Sequence, residues 1–188
     1  DLGTSYLRLF VKGKGIVLSE PTLMVVSADK RRDILAAGEE ARIMLGRTAE
    51  KVQPVLPITE GVIADFELTV LFLRYMIRNA IGTSSLTRPK VAITVPCGLT
   101  PVERRAVEEA TKEAGTRQVF IVEQPFAAAI GTGLPVYDPQ GSLVLSVGGG
   151  VTEAELISLG SSVISRSTRV GGLKMDAAIV DYLKKTYG

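Results

Sequence analysis

The stretch that decides the fold is VLSVGGGVTE, residues 144–153, in which an apolar strand runs into three consecutive glycines and a second strand follows. Glycines at the end of a strand let the backbone approach another group closely, most often a phosphate. Such a site commonly uses a nearby carboxylate to hold a metal ion or its waters. The strand carries Ser146 at that place, so the stretch predicts a phosphate loop without its acid.

Composition restricts the classes of protein to which the chain can belong. Its 188 residues, 46% apolar and 22% charged, are typical of a soluble globular protein with one core or two small lobes. Basic and acidic residues are mixed and the net charge is +2, which argues against a nucleic-acid partner. The absence of histidine excludes His-based triads and His-ligated metal sites. The single cysteine, Cys97, indicates a reducing compartment and is predicted to be a packing residue.

Hydrophobic periodicity predicts alternating strands and helices. A hairpin that turns at Gly13–Gly15 is followed by a third strand from Thr22, a short helix and, over residues 51–61, an extended connection with two prolines. A long helix runs from the N-cap Asp65 to Gly82. Beyond it come a strand ended by Pro96, a helix with a Thr100–Glu103 capping box, another strand and a short small-residue helix.

The last third of the chain repeats the pattern of the first. Three successive strands and an amphipathic helix are predicted from residue 142 onward, so that both parts open with a three-strand meander and a glycine turn. The turns are DLGTS, residues 1–5, and SVGGGVT, residues 146–152. Two such turns that face each other can hold a polyphosphate through backbone N–H groups. The repetition therefore predicts a duplicated unit with a phosphate site between its halves.

These turns, together with VERRAVEEATKEAG, VEQPFAAAIGTGLP and SRSTRVGGLKMDAAI, resemble the MreB/Mbl family of bacterial actins, within the actin–Hsp70–sugar kinase superfamily. The resemblance runs from residue 1 to residue 188. It implies an α/β, ribonuclease-H-like, actin-type ATPase fold with the first lobe complete and the second partial. It also implies Mg²⁺ and ATP between the lobes, and cytoplasmic filaments at the inner membrane that guide cell-wall synthesis and rod shape.

The resemblance divides the chain into a first lobe, residues 1–141, with a small insertion at about 28–61, and a truncated second lobe, residues 142–188. The chain is accordingly expected to be a fragment that binds ATP weakly or not at all, because the family's base-binding motif lies further on and Ser146 replaces an acid. The strand at residues 143–145 is expected to be buried on both faces, with the closing helix covering one of them. Self-association through residues 142–188, as a dimer or filament, is expected to cover the remaining apolar surface.

Site residues follow from the resemblance, position by position. Asp1 is the expected metal contact, and Ser146 and Leu173 stand where the family usually has acids. Gln124 stands where relatives have a glutamate that orients the attacking water, and Glu123 matches the family. A hydroxyl does not offset Mg²⁺ charge and glutamine is not a base, so weak metal-dependent binding and slow ATP hydrolysis are expected. The implied phosphate-loop residues are Asp1, Gly3, Thr4, Ser146, Gly148, Gly149, Gly150 and Thr152, and the implied catalytic residues are Glu123 and Gln124.

Two further expectations concern partners and the competing function. The loop at residues 82–90, where the family carries an apolar membrane contact, has Leu86 as its one large apolar side chain, which predicts weak attachment at best. The alternative function is the nucleotide domain of a superfamily kinase or a chaperone-like ATPase. A kinase would need an acidic base for its substrate in the cleft, and the sequence offers no convincing candidate.

Overall fold

The computed structural model describes residues 1–27, 33–45, 52–82 and 88–188. Leu86, the predicted membrane contact, and parts of the predicted insertion lie outside these ranges. Within them, no helix is both long enough and apolar enough to cross a bilayer.

The chain opens with an antiparallel hairpin that turns at Gly13 and Gly15, both of which have positive φ. The third strand does not extend this hairpin, contrary to the sequence prediction, and pairs in a separate sheet. The reason is a turn at Thr22, whose N–H donates to Ser5 O at 3.0 Å and whose hydroxyl donates to Gly3 O at 2.7 Å. These elements are β1 (Tyr6–Val11), β2 (Gly15–Pro21) and β3 (Met24–Ser27).

A small sheet in the order β4 (Ile34–Ala37), β3, β5 (Val52–Val55) and one short helix follow the hairpin. Strand β5 lies where the sequence predicted an extended connection. Its Pro54 is tolerated because β5 is an edge strand, in which a missing N–H costs no ladder hydrogen bond on the outer side. The other elements are α1 (Glu39–Leu45) and the short hairpin of β6 (Ile58–Thr59) and β7 (Val62–Ile63).

Two helices with the predicted caps enclose the main core. Asp65 accepts a hydrogen bond from Leu68 N at 3.0 Å at the start of α2 (Phe66–Ile81), and Gly82 ends that helix. Thr100 and Glu103 form the predicted reciprocal capping box at the start of α3 (Pro101–Glu113). The apolar face of α2 is buried against the hairpin and α3, and its core side chains include Phe72, Leu73, Met76 and Ile77.

A parallel pair of strands, β8 (Lys90–Val95) and β9 (Gln118–Glu123), brings two chain segments to one edge of the molecule. Val95 and Glu123 are partners in this register, and β9 leads directly into α4 (Gln124–Gly131). Thr94, near the end of β8, donates its hydroxyl to Asp1 Oδ1 at 3.3 Å. The carboxyl ends of β8 and β9 therefore lie beside the first glycine turn.

The C-terminal segment is an antiparallel sheet of β10 (Ser142–Val147), β11 (Thr152–Ser158) and β12 (Ser161–Thr168), followed by α5 (Gly172–Tyr187). The expectation that β10 is buried on both faces is wrong, because Leu143 and Leu145 are about 70% exposed on one side of the strand. The expectation that α5 covers the sheet is also wrong, because α5 has no buried residue. Backbone hydrogen bonds hold its first turn to Gly148 O and Gly149 O, at 2.9 Å each.

Candidate functional site

The two glycine turns are in direct contact. A Cβ atom placed on Gly149 would lie 1.9 Å from Ser5 Oγ, and one on Gly150 would lie 2.3 Å from Thr4 Oγ1. Both distances are far below van der Waals contact, so each position accepts glycine alone without a rearrangement of the opposite turn. The predicted face-to-face arrangement of DLGTS and SVGGGVT is therefore present.

Two ion pairs join the segment around the start of α5 to the first part of the chain. Lys174 Nζ lies 2.7 Å from Glu60 Oε1, and Arg169 Nη2 lies 2.7 Å from Glu103 Oε1. The first turn is tied to the same region, since Thr4 Oγ1 accepts a hydrogen bond from Gly61 N at 3.0 Å. The β6–β7 hairpin thus lies against both turns, because Gly61 bonds to Thr4 and also packs against Val151 of the second turn.

A cavity of about 800 Å³ opens beside the turns. The N–H groups of Gly149 and Gly150 have no protein acceptor among the described residues, and both glycines line the cavity. Most of the residues that the sequence singled out meet at this cavity. Those that line it are Asp1, Gly3, Thr4, Gln124, Ser146, Gly148, Gly149 and Gly150.

Two of the predicted residues lie outside the cavity wall. Glu123 forms an ion pair with Arg104, with 3.4 Å between Oε1 and Nη2, and its side chain makes no hydrogen bond to the start of α4. The hydroxyl of Thr152 donates to Val170 O at 2.7 Å and joins β11 to the segment that leads into α5. In this conformation Glu123 and Thr152 support the site and do not face it.

The cavity wall also contains residues that the sequence did not single out, among them Tyr6, Arg8, Gly61 and Thr94. Leu7 is buried in the core, so the alternation of β1 turns its two neighbours, Tyr6 and Arg8, to the opposite side. The Arg8 guanidinium lies 5.5 Å from the centre of the Tyr6 ring, and its Nη1 lies 3.2 Å from Asp1 Oδ2. The alternation of β1 is the signal that could have identified Arg8 from the sequence, because residues two apart on a strand face the same side and Tyr6 and Arg8 both face the cavity.

The donor set of the cavity fits Mg²⁺ poorly. Among the described residues, no three potential ligands gather into a metal cluster. Asp1 is the one carboxylate in the described cavity wall, and its oxygens already contact Arg8 and the Thr94 hydroxyl. Mg²⁺ in nucleotide sites is usually held by one or two carboxylates together with phosphates. A single carboxylate beside a guanidinium is a weak version of such a site, because the cation repels the metal.

Next to the cavity, at the ends of β8 and β9, lies a cluster of buried acids. Glu153 is 2% exposed and accepts a hydrogen bond from Cys97 N at 2.6 Å. Burial and the neighbouring Glu153 raise the pKa of the Cys97 thiol to about 12, so the thiol is protonated at neutral pH and is not activated as a nucleophile. Glu155 is 1% exposed, and neither of its carboxylate oxygens has a hydrogen-bond partner in the structure.

The model of the MreB/Mbl protein family matches residues 1–188. The chain is 44% identical over 192 residues to the cell shape-determining protein MreB of Escherichia coli (strain K12), covering all of this chain and 55% of the relative. It is 42% identical over 188 residues to the cell shape-determining protein Mbl of Bacillus subtilis (strain 168), covering all of this chain and 56% of that relative. The crystal structure of MreB5 of Spiroplasma citri bound to ADP has a TM-score of 0.90 and 35% identity, over all of this chain and 56% of that one. The chain thus spans about half the length of these relatives.

Proposed function

Because the chain belongs to the MreB/Mbl family, we propose that it is part of an actin-like cytoskeletal subunit that binds ATP and ADP and assembles with copies of itself. Its α/β architecture is the ribonuclease-H-like, actin-type fold of that family. The same match favours a filament protein over a superfamily kinase or a chaperone-like ATPase.

One observation supports the nucleotide site above all others. Gly149 packs on Ser5 and Gly150 packs on Thr4 at the wall of an 800 Å³ cavity, a size typical of sites for small ligands. Unpaired backbone N–H groups in such turns bind phosphate oxygens. The MreB5 relative is bound to ADP, which is consistent with the same use of this cavity.

Hydrolysis by this site is proposed to be slow. Gln124 lines the cavity and can orient a water molecule, but an amide does not accept its proton. The neighbouring carboxylate, Glu123, is held by Arg104 outside the wall. The chain is therefore a weak ATPase at most, and nucleotide binding serves assembly.

The proposed setting is the cytoplasmic face of the inner membrane, where filaments would guide the cell-wall synthesis machinery. The relatives named as cell shape-determining proteins support this role. Self-association has a candidate surface in the exposed apolar side chains of the C-terminal segment. These side chains are Leu143, Leu145, Met175, Ile179 and Leu183.

The test is a titration of the isotope-labelled 188-residue chain with ATP and ADP, followed by NMR. Nucleotide in the millimolar range should shift the amide resonances of Gly149 and Gly150, while the exposed Gly115 in the loop after α3 should not respond. Sedimentation with and without nucleotide then tests assembly. Unchanged glycine resonances at saturating nucleotide would rule out the proposed site.

Restoring the missing acid should restore dependence on a metal ion. We expect Ser146→Asp to tighten Mg·ATP binding by about tenfold and to leave metal-free ATP no tighter, because a carboxylate offsets Mg²⁺ charge and a hydroxyl does not. Ser146→Asn is the matched control, since the asparagine side chain has nearly the same shape as aspartate but carries no charge. Equal effects of the two variants on Mg·ATP affinity would show that charge at residue 146 does not govern metal binding.

A further inference from the structure

The described cavity wall contains one acidic side chain, Asp1, and one basic side chain, Arg8. The triphosphate of ATP carries several negative charges, which need positive charge or N–H donors beside them. The glycine turns supply N–H donors, but backbone dipoles alone do not balance a multiply charged anion. Arg8 is the basic side chain in the described part of this wall.

Arg8 is placed to reach a ligand in the cavity. It lies on β1, beside the first glycine turn, and its side chain is 49% exposed. Its present partner is the carboxylate of Asp1, at 3.2 Å. Exposed ion pairs of this kind contribute little, so exchanging Asp1 for a phosphate costs little. The contact with the Tyr6 ring holds the guanidinium on the cavity side of the strand.

A guanidinium group is well suited to bind phosphate. It is planar, permanently charged, and forms paired hydrogen bonds with phosphate oxygens. A divalent cation, in contrast, would meet one carboxylate that Arg8 already neutralises, and the neutral Ser146 hydroxyl. The cavity is thus better suited to bind the phosphates through a side chain than through a metal.

We propose that Arg8 binds the polyphosphate of the nucleotide directly, so that phosphate binding by this chain does not depend on a divalent cation. This inference rests on the proposed nucleotide site and adds the residue that provides its positive charge. It also explains how the site tolerates Ser146, because an arginine-bound phosphate does not require an acid that positions a metal.

The test uses inorganic tripolyphosphate and ATP, each with Mg²⁺ or with EDTA, added to the 188-residue chain and followed by ³¹P NMR, which detects weak binding. For the unaltered chain, affinities in Mg²⁺ and EDTA should agree within about threefold. Arg8→Gln should weaken tripolyphosphate binding in EDTA by about tenfold to a hundredfold, the range expected for lost charge-assisted hydrogen bonds. Arg8→Lys should retain part of the affinity.

Lys12→Gln is the matched control, because Lys12 is an exposed cation of the same hairpin that lies outside the cavity wall. It should leave tripolyphosphate affinity unchanged. Loss of binding by the unaltered chain in EDTA, or equal affinities of Arg8→Gln and the unaltered chain, would overturn the role of Arg8 while leaving a nucleotide site in place. Absence of ATP binding under both conditions would instead overturn the nucleotide site itself.

Discussion

Replacing Gly171 with alanine should lower the free energy of unfolding by about 1–3 kcal/mol, the usual cost of forcing a methyl group into filled space. A Cβ atom at Gly171 would lie 2.5 Å from Gly148 O and 2.7 Å from the carbonyl carbon of Gly149. These are backbone atoms of the second glycine turn, so the clash cannot be relieved by rotating a side chain. The turn must move, and nucleotide affinity should fall with stability.

The neighbouring glycine provides the control for this prediction. A Cβ atom on Gly172 would lie 3.9 Å from Gly148 O, an ordinary contact, and Gly172 is the first residue of α5. Gly172→Ala should therefore be neutral or stabilising, by up to about 1 kcal/mol. Gly171 itself has φ −150° and ψ −168°, which is extended backbone that alanine also adopts. Backbone strain therefore does not explain a difference in stability between Gly171→Ala and Gly172→Ala.

Urea unfolding of the two variants followed by circular dichroism measures the difference directly. We expect the two free energies of unfolding to differ by more than 1 kcal/mol, with Gly171→Ala the less stable. If both variants match the unaltered chain, the close approach of the α5 entry to the second turn does not exist in solution.

The helices of the first part were predictable because their signals are local. Asp65 and Gly82 bound α2, and Thr100 with Glu103 caps α3, and each signal lies within a few residues of the helix end it marks. Strand β5 was not predicted, because Pro54 disfavours a strand that has neighbours on both sides. Whether β5 is an edge depends on β3 and β4, which the local sequence of β5 does not encode.

The glycines of the site were predictable, whereas its charge was not. Three consecutive glycines after an apolar strand mark a close backbone approach by themselves. The position of Arg8 depends on the register of a hairpin, and that of Thr94 depends on how β8 lies beside the first turn. The amphipathic pattern of α5 showed which side chains are apolar, but not what covers them, so the expected packing on the sheet was wrong.

Glu155 should lower stability at neutral pH, and Glu155→Met should raise the free energy of unfolding by about 1–3 kcal/mol, the cost of a buried polar group without a partner. Glu155 faces the same side of the sheet as Val144 and Ser165, its neighbours in register. Its carboxylate is buried and has no hydrogen bond, and the nearby Ser162 hydroxyl, which favours the charged form, offsets only part of the effect of burial. Methionine keeps the shape and removes the polar group.

The dependence of stability on pH follows from the burial of Glu155. Desolvation, followed by the charges of Glu123 and Glu153, raises the pKa of Glu155 above its ordinary value near 4.5. The folded chain therefore binds this proton more tightly than the unfolded chain does. The stability that comes from this tighter proton binding is fully present at pH values below the ordinary pKa of a carboxyl group. It is lost as the pH rises through the raised pKa of Glu155 in the folded chain.

Glu155→Gln isolates this charge, because it keeps the size of the side chain and cannot ionise. The difference in free energy of unfolding between Glu155→Gln and the unaltered chain should grow as pH rises from acid to neutral, in urea unfolding at a series of pH values. Glu108→Gln is the control with the opposite sign, since the pKa of Glu108 is lowered by Lys112 and its contribution is lost as pH falls. A difference for Glu155→Gln that shrinks or stays constant with rising pH would mean that this carboxylate is hydrated or paired in solution, and the cluster beside the glycine turns would then be open to water.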